Sequence, residues 1–240
     1  LELNPDLKAA FGNDLNAATR HYLTYGQAEG RGRFITGTEA AETLTGTAGS
    51  DWIEALGGND LVQGANGNDT LVGGYGNDTL AGGAGDDRLE GGNGQDLAII
   101  DLSTATSGQT LRIGGTQSSS MLTSQEILLT TSQGTDRLFG IEKISITGSA
   151  QADTISLANI AGTVAGGAGN DVLSYINPRD LVGNIGYLEG GEGDDTLIGD
   201  ASIAFFAGQN GPVPVIYDGP VAIYDLSKAT PGQQLIYTLI

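Results

Sequence analysis

The sequence predicts a mainly β protein whose short strands stack as the coils of a solenoid, with an N-terminal helical segment and further β-strand segments interspersed. Three observations predict it. Forty of the 240 residues are glycine. The aspartates Asp51, Asp60, Asp69, Asp78, Asp87 and Asp96 follow one another nine residues apart without exception. An apolar residue stands two places after each of them: Ile53, Val62, Leu71, Leu80, Leu89 and Ala98.

Written in rows of nine, the region reads GTAGSDWIE, ALGGNDLVQ, GANGNDTLV, GGYGNDTLA, GGAGDDRLE and GGNGQDLAI. The aspartate holds position six and the apolar residue position eight. The first six positions supply glycine for a tight turn whose carbonyls can point inward. The last three are expected to form a short strand with position eight facing away from its two neighbours. One row cannot bury its apolar residue alone, so rows must stack. If successive strands lie on opposite walls, a coil takes two rows, or eighteen residues. Asp51, Asp69 and Asp87 then line one edge, and Asp60, Asp78 and Asp96 the other.

Charge sets the next constraint. The chain carries 29 acids against 10 bases, a formal net charge of −19. Such a surface disfavours nucleic acid and anionic membranes and favours cations. From Gly37 to Ile100 there are eleven acids and one base, Arg88. Coils about 4.8 Å apart would bring these carboxylates close together, which destabilises the fold unless a cation intervenes. Calcium suits a site of carboxylates and backbone carbonyls in tolerant geometry, whereas magnesium keeps water and zinc prefers nitrogen or sulfur. The chain has no cysteine, and its one histidine, His21, lies outside the rows. Disulfides and thiolate metal sites are therefore excluded.

These rows match the nonapeptide G-G-x-G-x-D-x-U-x, and the chain resembles the RTX, or haemolysin-type, calcium-binding family. The resemblance implies a right-handed parallel β-roll holding several Ca²⁺ ions between the turns of adjacent coils. It assigns the six aspartates from Asp51 to Asp96 as metal ligands, with turn carbonyls supplying most of the rest. Glu42, in the degenerate row GTEAAETLT, lacks the glycines and is not assigned. Members of the family leave the cell unfolded through type I secretion and fold on meeting external calcium, which implies a secreted, extracellular or cell-surface location.

A second block follows. GSAQADTIS carries Asp153, GGAGNDVLS carries Asp171, and GGEGDDTLI carries Asp195; the same resemblance assigns these three as metal ligands. The row between the first two, LANIAGTVA, lacks the aspartate but keeps Val164. Asp195 follows Asp171 by twenty-four residues, so a loop is expected to interrupt the stack. Asp180, in YINPRDLVG, has Pro178 where the turn wants glycine and is left out. Between the blocks, LAIIDL, TLRIG, EILLTTS and EKISIT read as longer strands of a small sheet, separated by GTQSSS and SQGTDRLFG. LAIIDLSTATSGQTL recurs as VAIYDLSKATPGQQL 124 residues later, as in a segment of a longer modular chain. The expected divisions are a helical cap over 1–35, a first roll over 36–100, strands over 101–147, a second roll over 148–199 and the start of a second strand module over 200–240.

At the N-terminus, Asn4-Pro5-Asp6 predicts a helix start and Gly12 a stop. Leu15, Ala18, Tyr22 and Tyr25 recur at helical spacing and predict a packed face that caps the open end of the roll. No H-E-x-x-H, G-x-S-x-G or P-loop lysine motif occurs, and paired acids such as Asp86/Asp87 fall in repeat register rather than forming a glycosidase dyad. The chain is expected to be no enzyme. Its expected role is a calcium-folded structural or adhesive segment of an S-layer, adhesin or filament protein, binding calcium and either further copies of itself or a cell-surface polysaccharide. The rival expectation is an accessory module of a secreted hydrolase or polysaccharide epimerase whose catalyst lies outside this chain. Membrane insertion is not expected, since no apolar run approaches about 18 residues. The register also separates two aspartates: Asp69→Ala is expected to raise the calcium midpoint of folding well above that of Asp180→Ala, and equal midpoints would refute the row assignment.

Overall fold

The computed structural model describes residues 5–12, 14, 17, 18, 21, 25, 31–113, 126–158, 160–176, 186–200, 204–207, 213–218, 223, 224 and 235–239. Helix α1 (Pro5–Phe11) precedes β1 (Phe34–Thr36), β2 (Thr43–Thr45), β3 (Trp52–Glu54), β4 (Leu61–Asn66), β5 (Thr70–Tyr75), β6 (Thr79–Ala84) and β7 (Arg88–Asn93). Then come β8 (Leu97–Asp101), β9 (Thr110–Ile113), β10 (Ile127–Thr130), β11 (Thr135–Phe139), β12 (Lys143–Thr147), β13 (Thr154–Ala158) and β14 (Ala161–Ala168). The last are β15 (Val172–Ile176), β16 (Gly186–Glu192), β17 (Thr196–Asp200), β18 (Ala204–Ala207), β19 (Val213–Asp218), β20 (Ile223–Tyr224) and β21 (Leu235–Leu239). The chain forms two compact units, one of Leu1–Ala98 with Gly134–Ile141, the other of Ile99–Gln133 with Glu142–Ile240.

In the first unit every pairing is parallel and joins residues eighteen apart until the chain leaves at Ala98. Trp52, Ile53 and Glu54 of β3 face Thr70, Leu71 and Val72 of β5, which face Arg88, Leu89 and Glu90 of β7. On the other wall β4 pairs with β6, and β6 with β8 through Leu80 and Ala98. The two-row coil is thus the building unit, and the fold is a parallel β-roll. Position eight makes its core: Ile53, Val62, Leu71, Leu80, Leu89 and Ala98 are all completely buried.

The strands are longer than the three residues expected. β4 to β7 each run six residues, through position three of the following row, so the turn shrinks to Gly-x-Asp. Glycine at position one does not end the strand. It sits inward and buried, as Gly64, Gly73, Gly82 and Gly91 do, because the aspartate five residues later fills the space of a side chain. A methyl group on Gly91 would lie 2.6 Å from Asp96 Oδ2. Where the aspartate is missing the two positions trade places: Leu157 stands at position one, and its side chain occupies the space beside Gly162 at position six.

The second unit repeats this architecture with larger side chains. β9, β13, β15, β17, β19 and β21 lie side by side in parallel, as do β12, β14, β16, β18 and β20. Leu111, Ile155, Leu173 and Leu197 stack as one buried column, and Ile146, Val164 and Leu188 as another.

Three expectations are corrected here. The interval between the blocks continues the roll, as its strands lead one to expect, but forms no small sheet of its own: β11 joins β7 of the first unit, with Leu138 on Leu89, and β9 joins β13 of the second. Nor does the longer spacing after Asp171 interrupt the stack, because β14 pairs with β16 and β15 with β17 at an offset of twenty-four. The extra six residues fall between β15 and β16, and Asp180 lies there, outside the described residues. At the N-terminus α1 starts at Pro5 and stops at Gly12, whose φ is 59°. Ala18 is buried and Tyr25 exposed, so the helical stripe does not present one uniformly packed face; Leu15 and Tyr22 lie outside the described residues.

Leu71 packs between Ile53 and Leu89 with no room for the column to collapse. Leu71→Ala is expected to cost the calcium-loaded protein about 3 kcal/mol, and the exposed-side Thr70→Ala under about 0.5 kcal/mol; denaturant melts of the two variants check this.

Candidate functional site

All nine sequence-assigned aspartates lie at the turns and are almost wholly buried, none more than 2% exposed. They fall into three ladders. Asp51 N–H donates to Asp69 Oδ1 at 2.7 Å and Asp69 N–H to Asp87 Oδ1 at 2.8 Å. Asp60 N–H donates to Asp78 Oδ1 at 2.9 Å and Asp78 N–H to Asp96 Oδ1 at 2.8 Å. In the second unit Asp153 N–H donates to Asp171 Oδ1 at 2.7 Å and Asp171 N–H to Asp195 Oδ1 at 2.9 Å. Each carboxylate reaches back one coil.

Position five does the reverse. Asp86 N–H donates to Asn68 Oδ1 at 3.0 Å, Asn77 N–H to Asn59 Oδ1 and Gln95 N–H to Asn77 Oδ1, both at 2.8 Å. Asp194 N–H donates to Asn170 Oδ1 at 3.0 Å. These side chains reach forward one coil. The short acceptors that fill position five are therefore clasps between coils, and their exposure leaves the buried partner at position six as the candidate for chemistry.

The second carboxylate oxygen carries that chemistry. Oδ2 of Asp60, Asp69, Asp78, Asp87, Asp96, Asp171 and Asp195 is buried without a hydrogen-bond partner. Backbone carbonyls converge on the same places. Asp78 Oδ2 and Gly91 O both crowd the place a β-carbon would take on Gly73, Asp69 Oδ2 and Gly82 O that on Gly64, and Asp171 Oδ2 and Gly190 O that on Gly166. Acceptor facing acceptor, with no donor between, is favourable only around a cation. Among the described residues no group of three or more Asp, Glu, His or Cys side chains assembles, so any ion must draw much of its shell from main-chain oxygen. Hard oxygen donors of mixed type fit calcium and do not fit zinc.

The electrostatics agree. Burial pushes the carboxyls of Asp69 and Asp136 up to about 7 and those of Asp87 and Asp171 up to about 6, and it also raises Asp78 and Asp195. The N–H from the preceding coil pulls each down in part, and neighbouring carboxylates push up again.

Asp136 is the residue that sequence reasoning missed. It holds position six of TSQGTDRLF, accepts from Asp87 N–H at 3.0 Å, and extends the ladder of Asp51, Asp69 and Asp87 by one coil. Thr135 N–H continues the position-five clasp to Asp86 Oδ1 at 2.7 Å. A lone Gly134, a single aspartate and Leu138 were the available signal, and the intervening thirty-five residues had broken the register. In the second unit Gln109 takes the equivalent place before Asp153, donating its N–H to Asp153 Oδ1 at 2.5 Å. An amide there ends the run of carboxylates. Glu42 also sits in line, donating its N–H to Asp60 Oδ1 at 2.8 Å.

Residues 36–71, 63–98, 161–174 and 186–202 match the RTX calcium-binding nonapeptide repeat (4 copies). Asp136 and Asp153 fall outside the matched stretches. No curated protein matches the chain. Among the described residues no helix is long and apolar enough to cross a membrane.

The raised carboxyls give the metal-free protein a definite pH response. Unfolded, these groups titrate near 3.8; between about pH 4 and 7 the folded state holds protons that the unfolded chain has lost. Stability of the metal-free roll therefore falls as pH rises through that window. Circular dichroism of the calcium-free chain is expected to gain β signal from about pH 7.5 down to about pH 5, and the calcium needed for folding to fall over the same window; a β signal that is flat or falls over the window would overturn it.

Proposed function

We propose that the chain, four stretches of which match the RTX calcium-binding nonapeptide repeat, is a calcium-folded structural or adhesive segment of a secreted or cell-surface protein, with no catalyst of its own. The observation that carries the reading is the set of buried aspartate oxygens without a hydrogen-bond partner. Asp60, Asp69, Asp78, Asp87, Asp96, Asp171 and Asp195 would hold calcium with carbonyls of adjacent turns. Bound there, the ion supplies the countercharge that lets the carboxylates stay ionised and buried. The rest is done by the chain: glycines clear the space, position-five side chains clasp the coils, and position eight fills the core.

Calcium dependence also suits the location proposed. A site built only when coils stack turns binding free energy into folding free energy, and extracellular modules work at about 0.1–1 mM calcium. Such a chain stays open where calcium is scarce and folds where it is plentiful. Copies of the chain or a cell-surface polysaccharide are the partners we propose, because the surface is acidic and the stack is modular. The sequence carries no H-E-x-x-H, G-x-S-x-G or P-loop lysine motif, in keeping with the non-catalytic role proposed.

Circular dichroism in EGTA followed by calcium titration tests the reading. The expected result is a largely disordered chain that gains parallel β structure cooperatively near millimolar calcium, with magnesium a poor substitute. A β signal unchanged by chelation sinks it. Calcium-dependent sedimentation and polysaccharide binding then test the adhesive role.

A further inference from the structure

Not every buried acid in the ladders is left with an unpartnered oxygen. Asp51 and Asp153 are as deeply buried as the others, yet both their oxygens are satisfied. Asp51 Oδ2 accepts from Thr47 N–H at 2.5 Å and from the Thr47 hydroxyl at 3.1 Å. Asp153 Oδ2 accepts from Ser149 N–H at 2.6 Å and from the Ser149 hydroxyl at 3.1 Å. Thr47 and Ser149 both hold position two of their rows. So does Thr38, whose hydroxyl donates to Glu42 Oε1 in the row before. Each hydroxyl oxygen in turn accepts a main-chain N–H two residues on, from Ala40 at 3.2 Å, Gly49 at 3.1 Å and Gln151 at 3.1 Å.

The backbone divides the rows in the same way. Position two has positive φ at Leu56 (74°), Ala65 (85°), Gly74 (107°), Gly83 (105°), Gly92 (104°), Gly167 (103°) and Gly191 (103°). These seven rows are the ones whose aspartates, Asp60, Asp69, Asp78, Asp87, Asp96, Asp171 and Asp195, have an orphaned Oδ2. Thr38, Thr47 and Ser149 do not have positive φ, so their rows use a second turn geometry. Asp51 and Asp153 stand at the start of their ladders, while Asp136, whose row also has a hydroxyl residue without positive φ at position two, Ser132, stands at the far end of its own. Asp51 is preceded by Arg33 and Asp153 by Gln109, each donating a main-chain N–H to it from a coil without a carboxylate at that place.

We propose that the first acidic row of each ladder holds its carboxylate with a hydroxyl residue instead of a metal, so that Asp51 and Asp153 are metal-independent ends from which the calcium-holding coils begin. Two donors, an N–H and an O–H four residues upstream, stabilise the oxygen that elsewhere faces carbonyls. The inference rests on the calcium reading above and divides its ligand set in two.

Calcium stoichiometry of the full chain, measured by equilibrium dialysis, tests it. Asp69→Asn and Asp171→Asn are expected to lose about one calcium equivalent each, while Asp51→Asn and Asp153→Asn keep the wild-type number. Thr47→Gly turns GTAGSD into GGAGSD, restores the repeat's own turn and frees Asp51 Oδ2; it is expected to gain about one equivalent, a change that misfolding cannot mimic. Thr47→Ser keeps the hydroxyl and the wild-type number. If all four asparagine variants lose calcium alike, if none does, or if Thr47→Gly gains nothing, the proposal is wrong. A wild-type chain that takes up no calcium marks the failure of the calcium reading itself, and is told apart by that uptake alone.

Discussion

The structure depends on one side chain in nine, an aspartate whose carboxylate is shared between coils. One oxygen takes the N–H of the coil behind, and the other is buried against carbonyls with nothing to donate to it. The magnitudes decide what this means. Each row buries one Leu, Ile, Val or Ala at position eight, worth about 1.5–3 kcal/mol for the larger ones. An uncompensated buried carboxylate costs several kcal/mol. Row by row, core and charge are of the same order and opposite sign, so the apolar columns cannot hold the roll together alone. A countercharge in the turn reverses the balance, and each row with an orphaned oxygen would gain from it.

That arrangement explains the composition. Glycine at position one is there because Asp Oδ2 needs the space, as the trade between Leu157 and Gly162 shows from the other side. Glycine at positions two and four tolerates positive φ, which Leu56 and Ala65 adopt at a cost of about 1 kcal/mol each. Position five needs only a short acceptor, and serine, asparagine and aspartate serve equally.

Much of this is legible in the sequence because the period is unbroken there. Nine-residue spacing led to the eighteen-residue coil, the two edges and the buried column from Ile53 to Ala98. Legibility fails where the period breaks. Asp136 was hidden because a row with one glycine, thirty-one residues out of place, carries too little pattern to align alone, whereas in three dimensions Leu138 simply continues the Leu89 column. The three-residue strand was wrong because glycine reads as a turn signal, and here it is a vacancy for a neighbouring carboxylate. Thr47 and Ser149 stand where the repeat has glycine, and a one-dimensional pattern cannot register that a hydroxyl reaches the acid four residues on.

The long excursion between Asp87 and Asp136 bears on the speed of assembly. Nearly every coil closes a loop of eighteen or twenty-four residues, a short and repetitive search. Among the longer closures, Asp87 to Asp136 spans forty-nine residues and Gln109 to Asp153 forty-four. The added loop entropy is only about 0.9 kcal/mol for the longer of them, so these joints weaken the finished roll very little. They set its order of events instead. Coils on either side can zip residue by residue along a ready template, while these two must wait for a distant segment to arrive, and the folding of the chain is paced by them.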